Sequence, residues 1–556
     1  MRHEWRSTRL IFGGIVIFYA VLGLGILSPH AVYSGDIGVK FVQARALAAH
    51  HFTSLDIPYP GAFLDPDRRF FPLRPPFVLA VGNETQAIFP TASAAIQAAA
   101  VTVGGVRGMI VVTLLAGLAI IYATAKMAEP GLGPYVLLAI GLAGPLWFYA
   151  ISGFEHAPAV ACGAAAFVCA MRLSGPKAAL FAGALLGVGA IQRDEVLLLT
   201  PGLLIVLWLR ARRWQPLARA IVATVAVVIA AAWVDVSWFG RPPAAHLRHA
   251  VHLLQGSWIG SEPGADLPSL APFTMRERYE TVIQYWLLGY GNSTVIALYA
   301  GGLAAALLWW RARGTSIGIL AWLIAVVALA AIDLHEVVTA PKWLAGMQRV
   351  SPYFIFALLP GPSGVERSGW MRGAVLLTTL AYVALAYAGV DTTGGKSLGP
   401  RLLLPLFPML TVASIASIRD YLGAAARTDR WIGHIGVLLV AMTAAIHMCG
   451  TVPAYVARNR DDASAVSAVA SAPERIVVSD DMFTAQLLMP LYFRKIIFLA
   501  DTPPGASQLG AKMEEQRVSG LVLVARGDTP SVALPPLRLT KVEHKGRFVI
   551  QHWRRE

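Results

Sequence analysis

Residues 10–28 read LIFGGIVIFYAVLGLGILS, an apolar run that follows Arg2, Arg6 and Arg9. A helix that crosses a membrane needs about 20 predominantly apolar residues, so this run predicts a first transmembrane helix. The arginines before the run, and the lack of a small-residue cleavage site after it, indicate an uncleaved signal anchor with a cytoplasmic N-terminus. The run therefore predicts a membrane protein.

The composition of the whole chain agrees with this class. Of the 556 residues, 56% are hydrophobic and 14% are charged, whereas soluble proteins average about 25% charged residues. These figures exclude a soluble enzyme, a disordered regulator and a secreted disulfide scaffold. The 46 Lys and Arg exceed the 32 Asp and Glu by 14 charges. Basic cytoplasmic loops explain this excess without a nucleic acid partner.

Further apolar runs predict a polytopic α-helical membrane protein with about thirteen transmembrane helices. The candidate runs are Leu10–Ser28, Gly108–Met127, Gly133–Ile151, Ala157–Met171, Ala178–Ile191, Val196–Leu209, Ala220–Phe239, Val295–Trp310, Ser316–Ile332, Met347–Pro360, Ala374–Val390, Leu402–Ile418 and Ile432–Gly450. One more segment, Ile88–Gly105, is rich in alanine but only weakly apolar. Its placement determines the topology of every later loop.

The charged residues predict how Ile88–Gly105 lies. If it lies along the membrane surface, basic groups such as Lys126, Arg172, Arg210 and Arg419 fall in cytoplasmic loops and most acids fall outside. If it crosses, the assignment reverses. Because Lys and Arg in short loops determine orientation, we predict that it does not cross and that the C-terminal region is extracytoplasmic.

Two domains are predicted along the chain. Residues 1–450 form the transmembrane domain, in which residues 29–107 are a first outer loop with interfacial helices. Residues 451–556 contain no spanning run and form a small soluble α/β domain outside the membrane. We interpret this second domain as a docking or lid module without catalytic residues.

Local patterns support both domains. In the outer loop, apolar residues from Ile37 to Ala48 recur at helical spacing, with Asp36, Lys40 and Gln43 on the other side, which indicates an amphipathic helix. In the C-terminal region, strands alternate with helices, which indicates a parallel sheet. The predicted strands are Arg475–Ser479, Lys495–Ala500 and Gly520–Ala525, and the predicted helices are Met482–Tyr492 and Gln508–Val518.

Ionisable residues at the outer ends of several predicted helices form a candidate site. They are Asp36, Glu155, His156, Arg193, Asp194, Glu195, Asp333, His335, Glu336 and the loop Asp391–Arg401, which includes Lys396. Charged groups at helix ends near lipid indicate function, although each alone also fits an ordinary solvated loop. The glycines of the Asp391–Arg401 loop permit close approach of the backbone to a ligand.

These residue types suit the transfer of a group from a lipid-linked phosphate. A carboxylate accepts a proton from an attacking hydroxyl, and Arg and Lys bind a phosphate. Because nucleotide sugars are absent outside the cytoplasm, we expect a sugar carried on a lipid phosphate as the donor.

The segment Gly394–Pro408, which reads GGKSLGPRLLLPLFP, resembles a motif of the GT-C superfamily of polyprenyl-phosphate-dependent glycosyltransferases. In that motif, Gly-Gly and Gly-Pro-Arg are followed by an aromatic residue, where this chain has Leu402. Gly35-Asp36, Arg74-Pro75-Pro76 and Gln348–Pro352 also resemble GT-C segments in order and topology. The chain is thus similar to protein O-mannosyltransferases and lipid A aminoarabinose transferases, although Ile37 stands where the family often has a second acid.

The resemblance implies an inverting glycosyltransferase that moves a sugar from a polyprenyl-phosphate donor to a hydroxyl acceptor on a glycan, lipid or protein. It implies a bacterial inner membrane location with the active site facing the periplasm. Asp36 becomes the general base. The implied substrate-binding residues are Lys40, Arg74, Glu155, His156, Arg193, Glu195, Lys396 and Arg401. No cofactor is required by this scheme, although the outer acids also suit a divalent cation.

Two other functions remain open. A lipid or solute transporter usually shows repeated halves or helices broken near the membrane midplane, and the sequence shows no internal symmetry. A non-catalytic scaffold of an envelope-polymer assembly would not need Asp36 and Arg401 to converge. The histidines His246, His249 and His252 are interpreted as interfacial loop residues and not as a metal site.

Overall fold

The computed structural model describes residues 2–75, 77–81, 84–241, 273–289, 293–340, 343–362, 369–389, 398–527 and 537–555. Some predicted features lie outside the described residues. They are Lys396 with most of the Asp391–Arg401 loop, and the histidines His246, His249 and His252. The α-helices are α1 Arg2–Ala20, α2 Gly35–Ala49, α3 Thr91–Met127, α4 Gly133–Leu142, α5 Leu146–Ile151, α6 His156–Arg172, α7 Pro176–Ala190, α8 Thr200–Ala211, α9 Gln215–Phe239, α10 Met275–Arg278, α11 Ser293–Arg313, α12 Ile317–Thr339, α13 Met347–Val350, α14 Gly369–Gly389, α15 Phe407–Leu422, α16 Arg427–Ala445, α17 Val452–Ser471, α18 Met482–Leu487 and α19 Pro503–Glu515.

Shorter helical turns and strands complete the described chain. The 3-10 turns are Asp194–Leu199, Pro352–Ala357, Arg401–Leu406 and Met489–Leu491, and the π-helical turns are Val21–Ile26, Tyr279–Leu288 and Ile446–Thr451. The strands are β1 Val78–Val81, β2 Glu84–Ala87, β3 Ile476–Ser479, β4 Ile496–Leu499, β5 Gly520–Arg526, β6 Arg538–Lys545 and β7 Phe548–Arg554. The antiparallel pair β1 and β2 lies in the first outer loop, where only helices were expected.

The chain is a polytopic helical membrane protein. Within the described residues, 8 helices are long and apolar enough to cross a membrane, and α4, α6 and α7 are shorter apolar helices. Two of the predicted runs, Leu10–Ser28 and Ile432–Gly450, end in a π-helical turn. Four others are interrupted by a loop or a 3-10 turn, and each of these breaks lies at or beside a proline: Pro145, Pro201, Pro352 or Pro405. Proline lacks an N–H donor and clashes with the preceding turn. The number of thirteen spans therefore stays a prediction.

Ion pairs define two ends of the helical bundle. At one end Arg401 pairs with Asp36, and at the other Arg419 pairs with Glu129. The helical run Arg401–Leu422 has 22 residues, which makes it roughly 30 Å long, so the two pairs lie far apart. We call these the Asp36 end and the Arg419 end.

Predicted cytoplasmic residues gather at the Arg419 end. Arg172 donates to the Lys126 carbonyl over 2.8 Å, and Arg210 donates to the Ala170 carbonyl over 2.7 Å. Arg372 pairs with Asp420 at 2.5 Å, beside Arg419. The separation of these basic residues from the acids near Asp36 is therefore confirmed, while the membrane side that each end faces stays a prediction.

The segment predicted to lie along the surface remains at the Asp36 end. Helix α3 is broken at Gly105, whose φ of 56° and ψ of −135° are not helical. Before this break, the Ser93 hydroxyl donates to the Gln192 carbonyl over 3.2 Å, and the Gln97 amide donates to the Gly153 carbonyl over 3.4 Å. Both acceptors lie close in sequence to the acids of the Asp36 end, so these contacts support a segment that does not cross.

The C-terminal region forms a five-stranded sheet with the order β4-β3-β5-β7-β6. The three predicted strands are parallel, with β3 between β4 and β5, and β3 is buried along its length as expected for a strand covered on both faces. Strands β7 and β6 add an antiparallel edge that the sequence reading missed. The predicted domain boundary at residue 450 falls inside the helical run Arg427–Ser471, which joins the bundle to this sheet.

Candidate active site

Helix α2 positions two charged residues of the site. Asp36 lies in the first turn of α2 and Lys40 follows one turn later, so both side chains lie on the same face. A carboxylate in a first helical turn is stabilised by the helix dipole. The helix is not an exposed amphipathic helix, because Lys40 is 4% and Gln43 is 1% exposed. Gln43 is satisfied there by donating to the Phe89 carbonyl over 2.9 Å.

Asp36 forms an ion pair with Arg401. The Arg401 Nη1 atom donates to Asp36 Oδ2 over 2.8 Å, across 365 residues of sequence. Both side chains are mostly but not fully buried, with 20% of Asp36 and 16% of Arg401 exposed. The turn before Arg401 is anchored by Tyr149, whose hydroxyl donates to the Leu398 carbonyl over 2.9 Å. The predicted convergence of Asp36 and Arg401 is confirmed.

A buried charge network adjoins this pair. The Lys40 Nζ atom lies 2.5 Å from Glu155 Oε2, and Arg193 Nη1 lies 3.0 Å from Glu155 Oε1. Arg193 also pairs with Glu195 at 2.9 Å through Nε. Four residues from three separate predicted outer loops thus meet, and Lys40 links the network to the helix that carries Asp36.

His156 is enclosed by the same network. Its Nε2 atom lies 3.4 Å from Glu195 Oε1 and its Nδ1 atom lies 3.8 Å from Glu155 Oε1. Neither ring nitrogen forms a hydrogen bond within the described part of the chain, although the side chain is buried. A buried polar group without a partner carries an energetic cost, which singles out His156 among the residues at this end.

The charges shift the pKa values of these groups. Burial acts to raise the pKa of Asp36, but Arg401 and Lys40 outweigh it and hold this pKa below its ordinary value. Burial also acts to raise the pKa of Glu155, yet Lys40 and Arg193 lower it to about 2. Burial lowers the pKa of Lys40 despite the opposing charges of Glu155 and Asp36. Both carboxylates are therefore ionised at neutral pH.

One predicted site residue, Arg74, has its ion pair outside this cluster. Arg74 pairs with Asp501 of the C-terminal domain at 3.0 Å and also donates to the Arg69 carbonyl. It therefore connects the first outer loop to the sheet domain instead of facing Asp36. Lys396 lies outside the described residues. The candidate acids Asp333 and Glu336 have a partner of their own, because Arg349 pairs with Asp333 and lies 3.4 Å from Glu336.

The structure adds a residue that sequence reasoning missed. Tyr285 lies in the π-helical turn Tyr279–Leu288. Its phenol interacts electrostatically with Arg401. Burial raises the pKa of Tyr285, while Arg401 opposes that shift. Short π-helical segments often occur at functional sites, but a single tyrosine in a mixed sequence gives no signal before the fold is known.

No group of three or more His, Cys, Asp or Glu side chains in the described ranges is arranged to hold a metal ion. Arg401 is the cation that pairs directly with Asp36.

Comparisons with known proteins give likeness of fold only. No protein-family model matches the sequence, and no curated protein sequence matches it. A crystal structure of ArnT from Cupriavidus metallidurans in the apo state is similar with a TM-score of 0.48 and 14% identity, covering 98% of this chain and 97% of that one. The same protein bound to undecaprenyl phosphate gives a TM-score of 0.47 and 12% identity, with the same coverage.

Proposed function

We propose that the chain is an inverting glycosyltransferase of the GT-C kind, acting at the periplasmic face of a bacterial inner membrane. Its donor is a sugar on a polyprenyl phosphate, and its acceptor is a hydroxyl group of a glycan, lipid or protein. The observation that supports this proposal is the partly exposed ion pair of Asp36 and Arg401 at 2.8 Å. In the proposal, this carboxylate is the base and this guanidinium binds the donor phosphate.

The ion pair suggests the order of events. A phosphate offers two oxygens in the geometry that a guanidinium prefers, so the donor phosphate competes with Asp36 for Arg401. When Arg401 turns to the phosphate, the Asp36 carboxylate is released and accepts the proton of the acceptor hydroxyl. Asp36 and Arg401 thus pair with each other before the donor binds, and each takes a separate role once it is bound.

The chemical step is a displacement at the anomeric carbon of the donor sugar. The acceptor oxygen forms a bond to the anomeric carbon from the face opposite the phosphate, and the bond from that carbon to the phosphate oxygen breaks. The bonding electrons leave with polyprenyl phosphate, and the proton stays on Asp36. Arg401, joined in our proposal by Lys396, stabilises the charge that develops on the phosphate, which is usually the largest catalytic contribution.

The buried network has a supporting role in this scheme. Lys40, Glu155 and Arg193 hold helix α2 against the loops that follow α5 and α7. Glu195 and His156 lie at the edge of that network. The ring nitrogens of His156, which have no hydrogen-bond partner among the residues that the structure describes, suit hydrogen bonds to sugar or acceptor hydroxyls. The donor is of the same lipid class as the undecaprenyl phosphate bound to ArnT.

The decisive experiment uses purified protein in liposomes with radiolabelled polyprenyl-phosphate sugars and candidate acceptors. Transfer of label to the acceptor with inversion at the anomeric carbon supports the proposal. Movement of lipid or sugar across the bilayer without any product would favour the transporter instead.

The scheme requires no metal, because arginine and lysine neutralise the leaving phosphate. We therefore expect activity to persist after treatment with EDTA and to show no increase when Mg²⁺ or Mn²⁺ is added. Loss of activity in EDTA, restored by one divalent cation, would show that a metal takes part.

A further inference from the structure

The segment that carries Asp36 is held by the C-terminal part of the chain. The backbone N–H of Ser28 donates to Asn459 Oδ1 over 2.7 Å. Arg458 donates to the Tyr33 carbonyl over 3.2 Å, and its guanidinium lies 4.5 Å from the centre of the Tyr33 ring. Two points on the connection between α1 and α2 are thus fixed by helix α17, which leads into the sheet domain.

The first turn of α2 is held by a third contact, with Gln486 of helix α18. A methyl group added at Gly35 would overlap Oε1 of Gln486, and its other near neighbours would be Cβ and Cδ of the same side chain at 3.0 Å. A methyl group added at Gly38 would overlap the main-chain oxygen of Gln486. Only glycine at these positions permits α18 to lie this close to the turn that contains Asp36.

The side chain of Gln486 is unusual in its environment. It is fully buried, and neither its amide nitrogen nor its amide oxygen has a hydrogen-bond partner among the described residues. An amide in this condition destabilises the fold relative to an apolar side chain of similar shape. Stability therefore does not explain why a glutamine occupies this position.

We propose, on the premise of the transferase function, that Gln486 is a positioning residue that sets the place of the Asp36 turn relative to Arg401. Arg401 belongs to the transmembrane bundle, whereas α18 packs against the Asp36 turn and α17 holds the segment before it. The C-terminal domain therefore contributes to the distance between the base and the phosphate-binding arginine, together with the ion pairs that tie α2 to the bundle. This role goes beyond the docking or lid module expected from the sequence.

The test is a set of variants in the full-length protein: G35A, Q486A, the double variant G35A/Q486A, and the matched pair G38A and G38A/Q486A. Displacing a reacting group by about 1 Å costs about 100-fold in rate. We expect G35A to lower kcat by about that factor and Q486A alone to lower it by about tenfold. The KM for the donor should stay within about threefold in both, because Arg401 itself is not displaced.

The double variants separate positioning from general damage. Q486A removes the atoms that a methyl at position 35 would meet, except Cβ, so G35A/Q486A should turn over at least about tenfold faster than G35A. The overlap at position 38 involves a main-chain oxygen, which Q486A keeps, so G38A/Q486A should remain as slow as G38A.

The outcomes are distinguishable. Unchanged kcat in Q486A, or a double variant no faster than G35A, overturns the positioning role while wild-type transfer keeps the proposed function intact. If G35A does not fold, Q486A alone still decides, because it introduces no overlap. Absence of transfer by the wild type with every donor and acceptor overturns the proposed function, and the positioning role with it.

Discussion

The two ends of the bundle each carry an arginine–carboxylate pair, and the pairs are nearly equal in length. Arg401 lies 2.8 Å from Asp36, and Arg419 lies 2.7 Å from Glu129. Their surroundings differ. The Asp36 pair is 20% and 16% exposed and adjoins the buried ions Lys40 and Glu155. Arg419 and Glu129 are 30% and 28% exposed, and their one buried neighbour among the described ion pairs is Asp420. An exposed pair of this kind contributes about 0–1 kcal/mol.

This comparison teaches that a short ion pair does not identify a site. At the Asp36 end, burial and neighbouring charges shift the pKa values of several groups. Within the described part of the chain, Arg401 Nε and both His156 nitrogens also lack hydrogen-bond partners. Such a group of perturbed residues indicates function more reliably than any one distance. Substitutions at the two ends therefore test the difference directly.

The largest expected effect comes from Asp36→Asn, with Glu129→Gln as the matched control at the Arg419 end. The asparagine keeps the shape of Asp36 but cannot accept the proton, so kcat should fall by about 100-fold or more. The control removes an equivalent carboxylate from an exposed pair and should leave kcat within about twofold. Transfer of labelled sugar measures both, and equal activity in the two variants would remove Asp36 from the mechanism.

The next effect concerns Arg401→Gln. Loss of a charged hydrogen bond to the donor phosphate should lower kcat/KM by about 30-fold. The pH profile should change as well, because Arg401 is a main cause of the low pKa of Asp36. Without it, burial raises that pKa, so Asp36 becomes protonated at a higher pH and the acidic decline of kcat/KM moves upward.

A pH series of kcat/KM in the wild type and the variant measures this shift. In the wild type, Asp36 stays ionised down to below its ordinary pKa, so its protonation limits activity only in strong acid. An unchanged acidic decline in Arg401→Gln would show that another group is the base.

Glu155→Gln should act mainly on stability. The change leaves Lys40 and Arg193 buried without their shared carboxylate, and breaking a buried pair costs about 3–5 kcal/mol. The pKa of Glu155 is lowered to about 2, so its contribution is fully present above its ordinary pKa and is lost as the pH falls from there towards 2. The thermal unfolding midpoint of the wild type should fall across that range, and the variant should lack this component.

The sequence predicted the convergence at the Asp36 end because its signals are local. Charges at the ends of apolar runs can be read without knowledge of the fold, and so can the Gly-Pro-Arg segment that ends at Arg401. The same holds for the parallel strands β3, β4 and β5, whose apolar residues are continuous. Strand β6 was missed because half of its residues are charged and most of its side chains are exposed, which leaves no alternating pattern to detect.

Other features depend on pairs that are distant in sequence. The amphipathic pattern of α2 placed Lys40 on the polar side of the helix. A pattern of apolar residues cannot show that Glu155, from a distant loop, pairs with Lys40 on that side. Gln486 contacts Gly35 and Gly38 from a separate domain, and neither glycine marks a turn with positive φ. Contacts of this kind exist only in the folded chain, so no local signal reveals them.

The smallest effect is expected for Arg74, whose ion pair lies outside the charge network around Asp36. The family resemblance implied Arg74 as a substrate-binding residue, but Arg74 pairs with Asp501, and both side chains are about one-third exposed. Arg74→Gln should therefore change stability by less than about 1 kcal/mol and leave the donor KM within about twofold, with Asp501→Asn giving the same result. A rise of the donor KM in Arg74→Gln alone would mean that Arg74 leaves Asp501 for the phosphate, and the site at the Asp36 end would then have to include Arg74.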